Sequence, residues 1–151
     1  MAKWEFVHLL NLTNAKSRLQ LYESVELGVP ASHVPLLATA TGRGVSELLD
    51  LLAMAETTYR RKEGENKPLP AVDGQRVMAL IRVSALVKRL LDESGDAAGV
   101  ATFDLGAWIG DWIARPLPEL GGRRPAEMLR NAEGVRAVEG VLERMRGGVP
   151  A

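Results

Sequence analysis

Apolar residues recur at intervals of three and four along almost the whole of this 151-residue chain. One such set would form a single face of a helix: Val45, Leu48, Leu49 and Leu52. Sustained alternation of apolar and polar residues, which a half-buried strand requires, does not occur. The pattern therefore predicts an all-α protein.

Capping residues, glycines and prolines divide the pattern into separate helices. We predict helices over residues 18–27, 33–40, 45–54, 56–66, 74–93, 104–114, 125–130 and 135–146. Ser17, Ser32 and Asp73 are the predicted N-caps of the first, second and fifth of these helices. The fifth carries the widest apolar stripe and is expected to be central to the core. Residues 1–12 fit a short helix, an extended lead or a strand, and residues 94–99 fit a polar loop.

Residues 64–70 contain Gly, Asn and two Pro, so they are the best candidate for a linker. We accordingly divide the chain into three segments. Residues 1–67 form an N-terminal bundle resembling a helix-turn-helix, suited to dimerisation and possible DNA binding. Residues 68–102 hold the central long helix and the loop after it. Residues 103–151 form a small C-terminal helical domain.

The charge of the chain is balanced as a whole and in each half. There are 19 basic and 19 acidic residues, with eight of each in residues 1–70. DNA-binding domains are usually basic, because phosphate contacts supply most of their affinity. Any DNA binding must therefore come from a local cluster. The lack of cysteine, of a long apolar run and of a signal peptide predicts a cytoplasmic protein that does not span a membrane.

Two adjacent predicted helices, residues 45–54 and 56–66, match the arrangement of a helix-turn-helix. Five polar residues near the start of the second helix are candidates for contacting DNA: Thr57, Thr58, Arg60, Arg61 and Lys62. Arg and Lys bind phosphates or guanine edges, and Thr binds phosphate or a thymine methyl group. The alternative interpretation is a solvated basic turn on a helical hairpin.

Trp108 and Trp112 are spaced to lie on the same helix face. They fit either core packing or an anchor for a partner protein, in which Trp is common. The run Leu120-Gly121-Gly122-Arg123-Arg124-Pro125 indicates a sharp turn followed by a short helix. Its arginines fit either a solvated turn or a site for an anion or an acidic partner.

Residue constellations typical of enzymes are missing from the sequence. His8 and His33 lack metal-ligand spacing, and there is no Gly-rich phosphate loop or nucleophile elbow. We therefore predict a protein that is not an enzyme and that uses no metal and no cofactor.

The last third of the chain resembles the toxin-binding domain of the Xre/MbcA/ParS antitoxin family. The residues that carry the resemblance lie in the family's order and spacing: Phe103, Ala107, Trp108, Trp112, Pro116, Leu120-Gly121-Gly122, Pro125, Leu129, Glu133-Gly134, Val138, Leu142, Arg144 and Gly148-Val149. Residues 30–102 resemble, more loosely, the Xre-like region that precedes this domain. Arg124 stands where the family more often has a Thr that can cap the following helix.

The resemblance implies a type II antitoxin that binds and inhibits a RES-domain toxin, one that degrades NAD or transfers ADP-ribose. In this family the C-terminal region covers or enters the toxin's active site. Carried onto this chain, the toxin-binding candidates are Arg123, Arg144, Met145, Gly148, Val149 and Ala151. The scaffold of the domain would be Trp108, Trp112, Leu120, Gly121, Gly122, Pro125 and Leu129. Homodimers, larger complexes with the toxin and binding to operator DNA are also implied.

The sequence hypothesis is therefore an antitoxin that sterically occludes the toxin's NAD pocket and possibly represses its own operon. The main alternative is a stand-alone helix-turn-helix regulator whose C-terminal part serves only to dimerise. A weaker alternative is a helical adaptor with no toxin partner.

Overall fold

The computed structural model describes residues 2–146, which form ten α-helices and one 3₁₀ turn. The helices are α1 (Ala2–Ala15), α2 (Arg18–Leu27), α3 (His33–Ala40), α4 (Val45–Leu51), α5 (Glu56–Gly64), α6 (Ala71–Asp92), α7 (Ala97–Thr102), α8 (Leu105–Trp112), α9 (Pro125–Met128) and α10 (Ala132–Arg144), with the 3₁₀ turn at Pro118–Leu120. Extended backbone pairs only as two isolated bridges within these residues, Pro30 with Pro68 and Leu117 with Arg123. The predicted all-α class is confirmed.

Helix α6 is the centre of the fold, as its wide apolar stripe predicts. Eleven of its 22 residues are buried, and α1, α2 and α10 pack against it. The buried side chains of α1, α6 and α10 join one cluster that extends from Phe6 to Leu142, to which α2 adds no fully buried residue. Because this cluster includes residues of α1, α6 and α10, the first and last helices are supported by the same core.

The N-terminal segment fits a helix, an extended lead or a strand by its sequence, and in the structure residues 2–15 form a helix. Phe6 and Leu10 are buried against α6. The Asn14 side-chain amide donates a hydrogen bond to the carbonyl of Ala85 at 2.9 Å, which fixes the end of α1 on α6. The apolar residues of this segment therefore have helical partners, and no strand pairing is needed.

Helix α8 meets the end of α3 at an unusually short distance, through two glycines one turn apart. A Cβ atom placed on Gly106 would lie 2.0 Å from the carbonyl oxygen of Ala40, and one on Gly110 would lie 2.0 Å from that of Thr41. Only a residue without a side chain fits at either place. The two backbones are therefore in direct contact.

Arg43 strengthens this contact between α3 and α8. Its Nε and Nη2 atoms both donate hydrogen bonds to the carbonyl of Gly110, at 2.9 and 2.7 Å, and its Nη1 lies 3.4 Å from a carboxylate oxygen of Glu47. The guanidinium thus satisfies a carbonyl near the end of α8 that would otherwise lack a helical donor. It joins the turn before α4 to the C-terminal segment.

Several predicted boundaries are wrong, each for a local reason. Asp73 is not an N-cap: α6 begins earlier, at Ala71, and Asp73 lies in its first turn. Ser32 does stand at the N-cap of α3, which spans His33–Ala40 as predicted, but its backbone is helical and its side chain makes no capping hydrogen bond. Part of the expected polar loop at residues 94–99 is helical, because Asp96 caps α7 by accepting a hydrogen bond from the Gly99 N–H.

The segment expected to be a linker packs on the body of the protein. Leu69 is buried, and its N–H donates to the carbonyl of Val29 at 2.9 Å. Pro68 lies against Gly28, where a Cβ atom would come within 2.7 Å of the proline Cβ.

In the part of the chain that is described, residues 2–146, none of the helices combines the length and apolarity needed to cross a bilayer.

The contact between α3 and α8 makes Gly110→Ala a strong test of this packing. The added methyl group must displace the Thr41 carbonyl, so we expect a loss of about 1–3 kcal/mol in the free energy of unfolding. Gly140→Ala is the matched control, because its Cβ would meet only the Arg144 Nη1 atom, at an ordinary 3.6 Å. The control should be neutral or stabilising by up to about 1 kcal/mol. Urea unfolding followed by circular dichroism measures both, and equal values would contradict the packing.

Candidate functional site

The C-terminal segment begins with a capped helix that is tied to the N-terminus of the chain. Asp104 caps α8 by accepting a hydrogen bond from the Ala107 N–H at 3.1 Å, and it lies 3.0 Å from the Lys3 ammonium. The hydrogen bond from Ala107, together with that from Lys3, lowers the pKa of Asp104. The carboxylate is therefore held in its charged, capping form.

Trp108 and Trp112 stack on each other along α8, with ring centroids 5.4 Å apart and planes inclined by 14°. Trp112 is buried in the core and Trp108 is half-buried against it. Of the two interpretations, core packing or an anchor for a partner protein, core packing describes Trp112. Part of the Trp108 ring remains at the surface.

The Leu-Gly-Gly turn has the backbone that its glycines predict. Gly121 and Gly122 have φ values of 65° and 81°, which side chains disfavour. The turn is closed by two backbone hydrogen bonds, Leu117 N–H to Arg123 at 3.1 Å and Gly122 N–H to Leu117 at 2.9 Å. Leu120 is buried beneath it. Arg123 is thus held, exposed, on a rigid turn.

The short helix α9 begins at Pro125, as predicted, and Arg124 stands at its N-cap. The Arg124 N–H donates to the Glu127 carboxylate at 2.9 Å. This contact supplies half of a capping box without the missing Thr. Leu129, just after α9, is buried, so α9 serves to anchor the chain before α10.

Helix α10 begins three residues earlier than predicted, because Asn131 caps it by accepting a hydrogen bond from the Gly134 N–H at 2.9 Å. Val135, Val138 and Leu142 form its buried face. A Cβ atom at Gly134 would lie 1.8 Å from the carbonyl of Met128, so this glycine permits the sharp corner between α9 and α10.

Ion pairs join the second half of α10 to α6. Arg82 lies 3.3 Å from Glu139, and Arg89 lies 3.6 Å from Glu143. Past the end of the helix, Arg146 pairs with Glu93 at 3.2 Å and with Glu143 at 2.8 Å. Each partly exposed pair is weak alone, but together they fix the direction in which α10 ends.

The predicted toxin-binding residues do not form one cluster in the described part of the chain. Arg123 lines a cleft of about 420 Å³ at the start of α10, together with Met128, Arg130 and Asn131. Arg144 and Met145 lie at the other end of α10, roughly 20 Å away at a rise of about 1.5 Å per residue. Arg144 is exposed and Met145 packs partly on the core. Gly148, Val149 and Ala151 lie outside the described residues.

Helices α4 and α5 form the pair predicted as a helix-turn-helix. Ala53, in the turn between them, has a φ of 56°, the conformation usually given to glycine. Arg76 of α6 donates to the carbonyls of Ala53 at 2.5 Å and Leu52 at 3.3 Å. Tyr59 is fully buried and anchors α5 in the core. The pair is thus attached to α6.

The five candidate DNA-contacting residues differ in their surroundings. Thr57, Arg60 and Arg61 are exposed, while Thr58 and Lys62 are half-buried. Arg60 lies over the Tyr59 ring, 5.3 Å from its centroid, and pairs with Glu56 at 3.2 Å and Glu63 at 3.9 Å. Its charge is therefore largely compensated within α5.

Sequence reasoning missed Arg43, Arg76 and the role of Gly106 and Gly110. The spacing Gly-x-x-x-Gly on α8 is a usable signal for close helix contact. Arg43 and Arg76 show no comparable sequence signal, because the carbonyl groups that they bind are 67 and 23 residues away. No group of His, Cys, Asp or Glu side chains suited to holding a metal ion occurs among residues 2–146.

Comparison with known proteins identifies this arrangement. The protein-family model of the antitoxin Xre/MbcA/ParS C-terminal toxin-binding domain matches residues 98–148, a range that contains most of α7 and all of α8 to α10. The chain is also 30% identical over 124 residues to the Prs ADP-ribosylating antitoxin of Sphingobium sp. (strain YBL2), covering 82% of this chain and 76% of that relative. Both matches are to antitoxins of toxin–antitoxin pairs.

The chain belongs to the Xre/MbcA/ParS antitoxin family. The segment from α8 to α10 is accordingly part of a toxin-binding domain, and the chain has the role of an antitoxin that binds a toxin.

The burial of Tyr59 predicts a specific loss of stability at alkaline pH. Burial, together with its short hydrogen bond to Glu63, raises the pKa of Tyr59 from 10.0 to about 12. The neutral phenol is favoured in the folded state, so its contribution is complete below pH 10 and is lost as the pH rises toward 12. Wild type should lose about 1–3 kcal/mol more than Tyr59→Phe over this interval, measured by urea unfolding. Parallel pH profiles would contradict the assignment.

Proposed function

We propose that this antitoxin neutralises a RES-domain toxin by occluding its active site with the end of α10 and the residues that follow. The observation that carries the proposal is the match of residues 98–148 to a toxin-binding domain. The proposed contacts are Arg123, Arg144, Met145, Gly148, Val149 and Ala151, on the scaffold of Trp108, Trp112, Leu120, Gly121, Gly122, Pro125 and Leu129.

The way in which α10 is held supports this mechanism. The cap at Asn131 and the ion pairs of Arg82, Arg89 and Arg146 with α10 or α6 keep the helix in one orientation. A segment that enters a cleft binds more tightly when its point of departure is fixed beforehand, because less conformational entropy is lost on binding. In this mechanism the held α10 fixes the point from which the toxin-binding end of the chain departs.

The exposed arginines supply the polar part of the proposed contact. Arg123 and Arg144 make no ion pair among residues 2–146, and guanidinium groups bind carboxylates through two parallel hydrogen bonds. Since they lie at opposite ends of α10, we infer that the toxin surface spans the length of this helix. Acidic side chains of the toxin are their expected partners.

The toxin's chemistry is inferred from a relative. The name of the Sphingobium antitoxin includes ADP-ribosylation, so we propose a toxin that consumes NAD, either by degrading it or by transferring ADP-ribose. The antitoxin itself acts as a binding protein without a cofactor, not as an enzyme, and acts in the cytoplasm.

We also propose that residues 1–67 form the dimer and that residues 103–151 bind the toxin.

Deleting residues 147–151 tests the occlusion mechanism. The deletion removes the part proposed to enter the active site, so the dissociation constant of the purified complex should rise at least about tenfold, or by about 1.4 kcal/mol. Protection of cells that express the toxin should fall accordingly. The melting temperature should not change, since the core found in residues 2–146 is retained in the truncated chain. Full protection of the cells by the truncated chain would contradict the occlusion mechanism.

Single arginine variants make the same test at the two ends of α10. Arg123→Ala and Arg144→Ala should each weaken toxin binding. Arg115→Ala is the matched control, because Arg115 is exposed to 59% and pairs with Asp111 on α8, away from the proposed contacts.

Binding of operator DNA is a second proposed function, favoured by the attachment of α4 and α5 to α6 as a helix-turn-helix. The candidates remain Thr57, Thr58, Arg60, Arg61 and Lys62. Arg61 and Lys62 make no ion pair in the described chain, 2–146, so they are the principal phosphate ligands.

We expect Arg61→Ala to weaken binding to the upstream DNA of the gene about two- to tenfold and to reduce its salt dependence. A mobility-shift titration at several salt concentrations measures both effects. Arg123→Ala should leave DNA binding unchanged while weakening toxin binding. If wild type shows no preference for its own upstream DNA, autorepression is excluded, and so is the alternative of a stand-alone regulator.

A further inference from the structure

Helix α2 is formed completely, yet each of its residues is exposed or only half-buried. Ser17 and Gln20 form a capping box at its start, and the Gly28 N–H closes its end by donating to Val25. Three large apolar side chains face solvent: Leu19 is 67% exposed, Tyr22 61% and Leu27 84%. The other side of α2 packs on α6, but within residues 2–146 these three side chains remain uncovered.

A groove runs beside α2, between this helix, α6 and the start of α10, with a volume of about 610 Å³. Its apolar lining includes Met78, Leu129 and Val135. Four arginines surround it: Arg18, Arg82, Arg130 and Arg136. Glu139 and Glu133 compensate Arg82 and Arg136. Arg18 and Arg130 make no ion pair within residues 2–146. The groove thus suits an apolar and acidic helix.

The outer face of α2 has that character. Glu23 and Glu26 lie between its exposed apolar side chains, and both carboxylates are at the surface. Glu23 makes no ion pair among the described residues 2–146, and Glu26 accepts a hydrogen bond only from the Tyr22 hydroxyl there, at 3.1 Å. An apolar, acidic ridge therefore lies directly beside an apolar, basic groove.

We propose that a second copy of this chain covers α2, with the outer face of each α2 in the groove of the other copy. A two-fold axis requires a self-complementary surface, in which each copy presents both halves of the contact. The ridge and the groove meet that requirement, and one rotation makes both contacts at once. The proposal rests on the homodimer proposed above and assigns its surface. A toxin segment would have to supply such a ridge of its own, whereas the second copy already carries one.

Charge reversal on each side of the surface tests the proposal. Full-length wild type should dimerise reversibly in sedimentation velocity. Glu23→Arg and Arg130→Glu each place like charges at both contacts, so each variant should raise the dimer dissociation constant about tenfold or more. When the two variants are mixed in equal amounts, both contacts again join opposite charges, and a dimer should form with near wild-type affinity.

Glu5→Arg is the control, because Glu5 is an exposed acid on α1 outside the groove; it should dimerise as wild type does. Thermal melting by circular dichroism checks that all variants fold. A monomeric wild type, single variants that dimerise normally, or a mixture that fails to recover would each overturn the proposal. So would a Glu23→Arg variant that keeps the dimer but loses toxin binding, because the toxin would then contact α2; Arg130→Glu is not used for this readout, since Arg130 also lines the cleft of Arg123. Truncation at residue 146 leaves this surface intact, so failure of the occlusion mechanism is seen separately.

Discussion

The direct contact between α8 and the end of α3 determines how the two ends of this chain are joined. Gly106 and Gly110 bring the α8 backbone against the carbonyls of Ala40 and Thr41, and Arg43 closes the contact from the side. Glycine allows this approach only because it has no Cβ, and the arginine satisfies a carbonyl that α8 cannot pair itself. At this point the toxin-binding segment is therefore held on the N-terminal helices by direct backbone contact, in addition to the side chains that it contributes to the common core.

Helical periodicity was sufficient to predict most of the fold, because nearly every helix buries one face. It placed α6 at the centre, since only that helix has an apolar stripe wide enough to face several neighbours. Periodicity failed where a local polar contact determines the start of a helix. Asn131 caps α10, which therefore begins three residues before the predicted start at Val135. It also failed where the partner is distant in sequence, as for Arg43 and Gly110.

The candidate site was less accessible to sequence reasoning than the fold. The resemblance located the toxin-binding domain, and the structure separates its residues by physical role. Trp112, Leu120 and Leu129 are buried, whereas Arg123 and Arg144 are exposed at opposite ends of α10. The separation depends on the corner at Gly134 and on ion pairs between α6 and α10, which no periodicity reveals. The neutral net charge likewise conceals a basic groove beside an acidic helix.

The single continuous core couples the stability of the two ends of the chain. Helix α1 rests on α6 through Phe6, Leu10 and the hydrogen bond from Asn14, and α10 rests on another part of α6. A protease that removes α1 would expose the middle of α6 and weaken the support of α10 as well. Loss of the first helix would thus destabilise a toxin-binding domain that lies at the other end of the sequence.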